Sequence, residues 1–216
     1  MPSIISPVES PSPVLYSSYK GLPKSYAMEE EVVDSIIKSI KPVSKIEHLP
    51  EKQGIYAYFL DSTEDLKEFG NVGDPIYVGL AEKSLHGRDT MSHLVSGKTG
   101  WSSFRRSIGA ILKEKLNLIA IKRDKNGSKL RPDKYKFTEE GESRLTEWMV
   151  ANLKFGYWVN DSPFGKQELR MLEEKVILKL MPKLDLDRRT RNNNPFASLL
   201  DNYRAICREE VKTKFK

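Results

Sequence analysis

A glutamate stands where a helix should be apolar. In the run GKQELRMLEEKVILKLMP, ending at Pro182, the residues Leu169, Leu172, Val176, Ile177 and Leu180 recur at helical spacing, and Glu173 falls inside their stripe. A carboxylate buried there must pair with a cation, hold a metal ion, or lie at the stripe's edge. Its neighbours Glu174 and Lys175 point away as a solvent-facing pair. Arg88 makes the complementary demand: at the start of a helix, where the dipole favours an acid, it needs an anion nearby. The strand-like runs GIYAYFL (54–60) and PIYVGLA (75–81) each set a tyrosine, Tyr56 and Tyr77, between apolar residues. The competing readings are structural: an ion pair, an exposed arginine and two half-buried packing tyrosines.

Those residues need elements to position them. The Ser- and Pro-rich stretch before Met28 reads as an extended arm. MEEEVVDSIIKSIKP then forms a helix with Val32, Ile36, Ile37 and Ile40 on one stripe and Pro42 as its stop. The two tyrosine strands follow, with Tyr56 and Tyr77 in phase, so that their hydroxyls are expected on one face of a small sheet. A helix is expected from about Ser84, and a second in SSFRRSIGAILKEKL, buried through Phe104, Ile108, Ile111 and Leu112. NLIAIKRDKNGSKLRPDKYKF has the form of a hairpin around Asn126-Gly127. Thr138 caps the helix EEGESRLTEWMVANL, with Leu145, Trp148, Met149 and Leu153 inward. KFGYWVN is a short strand, and PFASLLDNYRAICREEV a terminal helix. The boundaries read as an arm and helix over 1–50, a catalytic-type domain over 51–186 with a hairpin insertion at 118–137, and a basic extension over 187–216.

Composition limits the partners. The 216 residues carry 36 Lys and Arg against 30 Asp and Glu, a formal charge of +6 that favours polyanions. Lys98, Arg105 and Arg106 form one basic cluster; Lys183, Arg188, Arg189 and Arg191 form another. With a single cysteine, Cys207, and three scattered histidines, neither a disulfide nor a cysteine- or histidine-rich metal site is expected. No run is long and apolar enough for a membrane span and no secretory signal is visible, so a cytoplasmic protein without a membrane partner is expected.

GIY at 54–56, YVG at 77–79, an arginine on the next helix and a glutamate on a later one stand in the order of the GIY-YIG nuclease superfamily, which this chain resembles over residues 54–185. SLHGRDTMSHLVSGKTGWSSFRRSIGAIL and LEEKVILKLMPKLD further resemble a bacterial, restriction-enzyme-like subgroup. The resemblance implies an α+β fold, a short three-stranded antiparallel sheet flanked by helices, and metal-dependent cleavage of phosphodiester bonds in double-stranded DNA, with a site-specific restriction or defence role among the family's uses. It implies that Tyr56 handles the attacking water, Tyr77 the phosphate or its water network, Arg88 the developing negative charge, and Glu173 a Mg²⁺ or Mn²⁺ ion, with Lys83 and His93 as helpers. Lys98, Arg105, Arg106, Arg188, Arg189 and Arg191 are the expected nucleic-acid contacts.

Two positions depart from the family pattern. Ser92 stands where His or Tyr is common, and His93, one step on, is rotated ~140° from Arg88 on a regular helix. Asp185 stands where an asparagine is usual; a carboxylate there adds negative charge near Glu173 and either joins the metal shell or raises a neighbouring pKa. The alternative to an enzyme is a DNA-binding module with a degenerate nuclease centre. The sequence is compatible with a dimer and does not fix the oligomeric state.

Overall fold

A computed structural model describes residues 24–62, 65–87, 93–123 and 131–214. Five α-helices and six strands run in the order α1 (Lys24–Lys38), β1 (Lys41–Pro42), β2 (Gly54–Leu60), β3 (Pro75–Ala81), α2 (Ser103–Ile111), β4 (Ala120–Ile121), β5 (Lys136–Phe137), α3 (Glu139–Asn152), β6 (Leu153–Val159), α4 (Lys166–Leu180) and α5 (Ala197–Lys214). The architecture is α+β, as expected. Strand order in the main sheet is β1-β6-β2-β3, all antiparallel; the three long strands were legible, and the two-residue β1 adds a fourth.

The sheet separates two apolar layers. Ile55, Ala57, Phe59, Val78 and Trp158 face α1 and α4, meeting Val32, Ile36, Leu169, Leu172, Val176 and Ile177. Tyr56, Tyr58, Leu60 and Phe155 face the other way, into a layer with Phe104, Ile108, Leu145, Met149, Leu200, Cys207 and Val211. The alternation along β2 is therefore buried on both sides, as a central strand requires. α1 lies close enough to β6 that a Cβ on Gly156 would sit 2.3 Å from the carbonyl oxygen of Ile36. α1 closes one layer and α5 the other, so the described helices of both flanks pack against the sheet.

Several local expectations are corrected. α1 stops at Lys38, before Pro42, which lies in β1. Ile37 is largely exposed, since it stands ~100° around the helix from buried Ile36. α2 ends at Ile111 and gives way to turns that close on Asn117, whose φ of 49° is left-handed. Ser84 opens a turn, closed by Gly87 N–H on the Ser84 carbonyl; the helix expected from about Ser84 falls on residues 88–92, with Arg88 and Ser92, which lie outside the described set. The 118–137 hairpin is present as the β4–β5 pair, although its Asn126-Gly127 turn is outside the described residues. Thr138 caps α3 by accepting from Gly141 N–H, and α4 ends where Met181 turns left-handed before Pro182.

Arg105 and Arg106 face inward. The Arg105 side chain has no exposure and donates to Glu142 Oε2 at 2.9 Å, to Thr99 Oγ1 at 3.0 Å, to the His93 carbonyl at 3.1 Å and to Thr146 Oγ1 at 3.0 Å. Glu142 also accepts from Gly97 N–H, Thr99 Oγ1 and Phe137 N–H. Burial lowers the Arg105 pKa, and the Glu142 carboxylate opposes that shift. With one partner removed, the other is a buried charge left alone, so Glu142→Gln is expected to cost on the order of 3 kcal/mol in urea unfolding. A loss below about 1 kcal/mol would show that the pair does not hold the fold together.

Candidate active site

The site gathers around β3, the edge strand. Tyr56 pairs across the ladder with Gly79, and Tyr58 with Tyr77. All three tyrosines therefore share a face, and the Tyr56 and Tyr77 ring centroids are 6.5 Å apart. Gly79 is what permits this: a Cβ there would lie 2.6 Å from the Tyr56 hydroxyl oxygen and 2.7 Å from its ring carbon. The glycine of YVG is thus the space occupied by the tyrosine of GIY.

Tyr56 and His93 are joined by a 2.9 Å hydrogen bond through Nε2, and His93 Nδ1 lies 2.7 Å from Ser102 Oγ. Ser102 caps α2 by accepting from Arg105 N–H at 3.0 Å. In the Nδ1-protonated tautomer the imidazole accepts the Tyr56 proton and donates to Ser102; in the other the direction reverses. Burial, reinforced by the Arg105 charge, lowers the His93 pKa to about 4, so the ring is neutral at pH 7. His93 reaches the tyrosines because residues 93–97 form turns that end in the positive φ of Gly97. Ser102 was missed by sequence reasoning, although a serine before a helix that opens SFRRS is the ordinary signal for a cap.

Tyr77 is half-buried and hydrogen-bonded to Ser103. Its pKa is raised, first by burial and then by the carboxylates of Asp185 and Glu173. Tyr77 therefore stays protonated and can donate a hydrogen bond. Lys83 is exposed just beyond β3.

Glu173 and Asp185 approach β3 from the α4 side. Glu173 is 8% exposed, as its place in the stripe requires, and its pKa is raised by burial against the opposing effect of Arg189. Asp185 ends a segment that runs along the open edge of β3: Lys183 N–H donates to the Pro75 carbonyl at 3.2 Å and Leu184 N–H to Ile76 at 2.8 Å. Its carboxylate accepts from Val78 N–H at 3.4 Å and Asp187 N–H at 2.9 Å. Burial, with Glu173 and Asp187 nearby, raises the Asp185 pKa to about 7.

The basic residues are not one surface. Arg189 turns its guanidinium onto Glu173 and Asp187 and donates to the Arg170 carbonyl, so its charge is engaged at α4 although the residue is exposed. Arg191 pairs with Asp201. Arg188 is exposed, and the Lys98 ammonium sits 5.8 Å above the ring of Trp101. Arg105 and Arg106 are buried, as described.

A metal ion can be tested against the donors present. Among the described residues no three His, Cys, Asp or Glu side chains gather to hold one. Glu173, with Asp185 behind it, suits a hard cation that keeps most of its water, and the raised pKa of both carboxyls marks a place where positive charge is stabilising. The donor set therefore fits Mg²⁺ or Mn²⁺ as a one-carboxylate site and does not fit a fully protein-ligated metal.

The family model for the GIY-YIG catalytic domain matches residues 54–206, well over half of the chain. The chain belongs to the GIY-YIG family. That membership carries a nuclease-type function. No curated protein and no solved structure matches the chain. No described helix of this GIY-YIG protein is long and apolar enough to cross a membrane.

The buried His93 gives a pH signature. Its folded pKa is depressed below the unfolded value of 6.5, so its contribution to stability is complete above 6.5 and is lost as pH falls through about 4. The loss amounts to at most on the order of 3 kcal/mol. Comparing His93→Gln with the parent chain by denaturation from pH 7 to 4 should show the parent losing stability more steeply. An NMR titration midpoint for His93 near its ordinary value would overturn the assignment.

Proposed function

We propose that this GIY-YIG domain is a metal-dependent endonuclease acting on double-stranded DNA. The observation that carries the reading is the meeting at β3 of the Tyr56–His93 hydrogen bond and the protonated Tyr77 with the Glu173 carboxylate. Two hydroxyls from the neighbouring strands β2 and β3 and a carboxylate from α4, brought together at the sheet edge, can flank a phosphodiester on both of its sides. Tyr56 orients the attacking water, and His93, held neutral, exchanges a proton with the Tyr56 oxygen. Tyr77 donates to a phosphate oxygen. Arg88, by the family resemblance, neutralises charge developing on the phosphoryl group. Glu173 would hold Mg²⁺ or Mn²⁺ with the balance of its shell as water, and an ion bound there supplies Lewis-acid stabilisation of the same oxygens.

One observation favours a second reading, a DNA-binding module without cleavage: Arg189 already neutralises Glu173. In the nuclease the Arg189 fork gives way when a divalent ion binds. Plasmid nicking separates the two. The nuclease cuts only with Mg²⁺ or Mn²⁺, whereas the module shifts DNA mobility and cuts nothing with either. A digest giving discrete bands supports a site-specific, restriction-type enzyme, and a smear supports a non-specific one.

Glu173→Gln keeps shape and packing while removing the ligand charge. It is expected to abolish cutting and retain DNA binding; undiminished cutting would remove Glu173 from the metal site. Tyr56→Phe keeps the ring against Gly79, so a merely structural hydroxyl would cost at most about 1 kcal/mol of stability. Loss of most turnover with an unchanged melting curve is expected, and a greater loss than for Tyr77→Phe. Near-normal cutting by Tyr56→Phe across several pH values would return Tyr56 to a packing role.

A further inference from the structure

Beside the catalytic cluster, on the far side of the Ser102 cap, lies a concentration of positive charge that the reaction does not use. Arg106 on α2, Arg123 after β4, Lys134 in the 3-10 turn Pro132–Lys134 and Arg204 on α5 influence one another electrostatically. Arg106 is 4% exposed; burial, then the Arg204 and Arg123 charges, lower its pKa to about 10. Lys134 is lowered by partial burial and by Arg106, Arg204 and Arg123. Among the described residues the carboxylate that acts on Arg106 and Lys134 is Asp133, itself largely exposed and 3.9 Å from Lys134 Nζ. The phenol of Tyr135 donates to the Arg106 carbonyl at 2.9 Å.

Hydrogen bonding points the same way as charge. Arg106 Nη1 donates to the Thr99 carbonyl at 3.0 Å, but its Nε finds no acceptor, and neither does Nε of Arg204. Among the described residues only three buried side-chain nitrogens or oxygens lack a partner, and these are two of them. Buried guanidinium donors are normally satisfied, because leaving one unpaired costs free energy comparable to a lost hydrogen bond. A tetrahedral oxyanion carries both the missing acceptors and the missing charge. At the rim, Trp101 is 62% exposed, with the Arg123 guanidinium 5.1 Å and the Lys98 ammonium 5.8 Å from its ring centroid. The ring holds Arg123 and one further cation, Lys98, at the surface by cation–π attraction, which makes Trp101 a positioning residue. Gly100 lets Arg123 reach it, since a Cβ there would meet the Arg123 side chain at 2.5 Å.

We propose that Arg106, Arg123, Lys134 and Arg204 form a phosphate site that grips the DNA backbone at a nucleotide away from the scissile bond, with Trp101 holding Lys98 and Arg123 at its mouth. The placement follows from the chain: Trp101 immediately precedes Ser102, the hydrogen-bond partner of His93. A strand lying across β3 at the catalytic cluster passes this mouth, and the contact fixes the register of the strand over Tyr56 and Tyr77. Because the contacted groups are phosphates, the site adds affinity and orientation without sequence preference. It rests on the DNA endonuclease reading for the identity of the polyanion alone.

The test uses the full chain with Arg204→Gln and Lys134→Gln, both at half-buried positions, with circular dichroism melts to establish that each folds. Affinity for a short duplex oligonucleotide is measured against salt concentration, and the arginine Nε–H resonances are followed during titration with inorganic phosphate. Each substitution is expected to lower the slope of log Kd against log salt by ~1. Inorganic phosphate is expected to shift the Arg106 and Arg204 signals saturably in the parent and far less in the variants. An unchanged salt slope in both variants overturns the DNA contact. If phosphate still saturates the arginine signals in that case, the site serves free phosphate instead. Uniform, unsaturable drift of all arginine signals overturns the site itself. Absence of plasmid cutting, with slope and phosphate response as expected, counts against the endonuclease reading and leaves the phosphate site standing.

Discussion

The geometry around β3 depends on a single buried ion pair. Arg105 lies on α2 and Glu142 on α3, and between them they tie down the His93 carbonyl, Gly97 N–H, the Thr99 hydroxyl and Phe137 N–H. Segments without regular structure converge there, and nothing in their own sequence would give them a fixed path. Desolvating both charges is costly, and the compensation is a set of hydrogen bonds that only one arrangement of these segments can satisfy. His93 meets Tyr56 because the turn that carries it is fastened from behind. The catalytic cluster thus inherits its precision from a cation that never reaches solvent.

How much of this was legible in the sequence depends on the range of the interaction. Glu173 could be placed by periodicity, since a helix stripe is set by residues three and four apart, and Tyr56 and Tyr77 by alternation along their strands. Thr138 and the end of α4 were equally local. Arg105 and Arg106 could not be placed, because FRRS sits at the start of an amphipathic helix where two arginines read as surface. Only Glu142, 37 residues on, makes Arg105 an interior residue. Arg189 was read as a DNA contact for the same reason: its partner Glu173 is 16 residues away and on another element. Pairing between charges distant in sequence is where composition and spacing stop being informative.

The two readings of Glu173 drawn from the stripe, ion pair and metal ligand, need not exclude each other. Arg189 lies on a chain segment outside any helix and is held largely by Asp187, two residues away, so its guanidinium can leave Glu173 without disturbing the core. A carboxylate whose pKa burial raises is costly without a neighbouring cation, and Arg189 supplies that charge. Asp185 differs, being fastened to backbone N–H groups at Val78 and Asp187. Its role in the fold is as evident as any role in chemistry.

The segment that brings Asp185 to the site also lies along β3, and this has a bearing on self-association. An edge strand with open N–H and C=O groups is a template onto which another molecule's strand can add. Here the Pro75 and Ile76 carbonyls and the Val78 amide are taken by residues 183–185 of the same chain. Along residues 75–78 the sheet is therefore closed to intermolecular strand addition, so two copies of the chain cannot pair edge to edge through this part of β3.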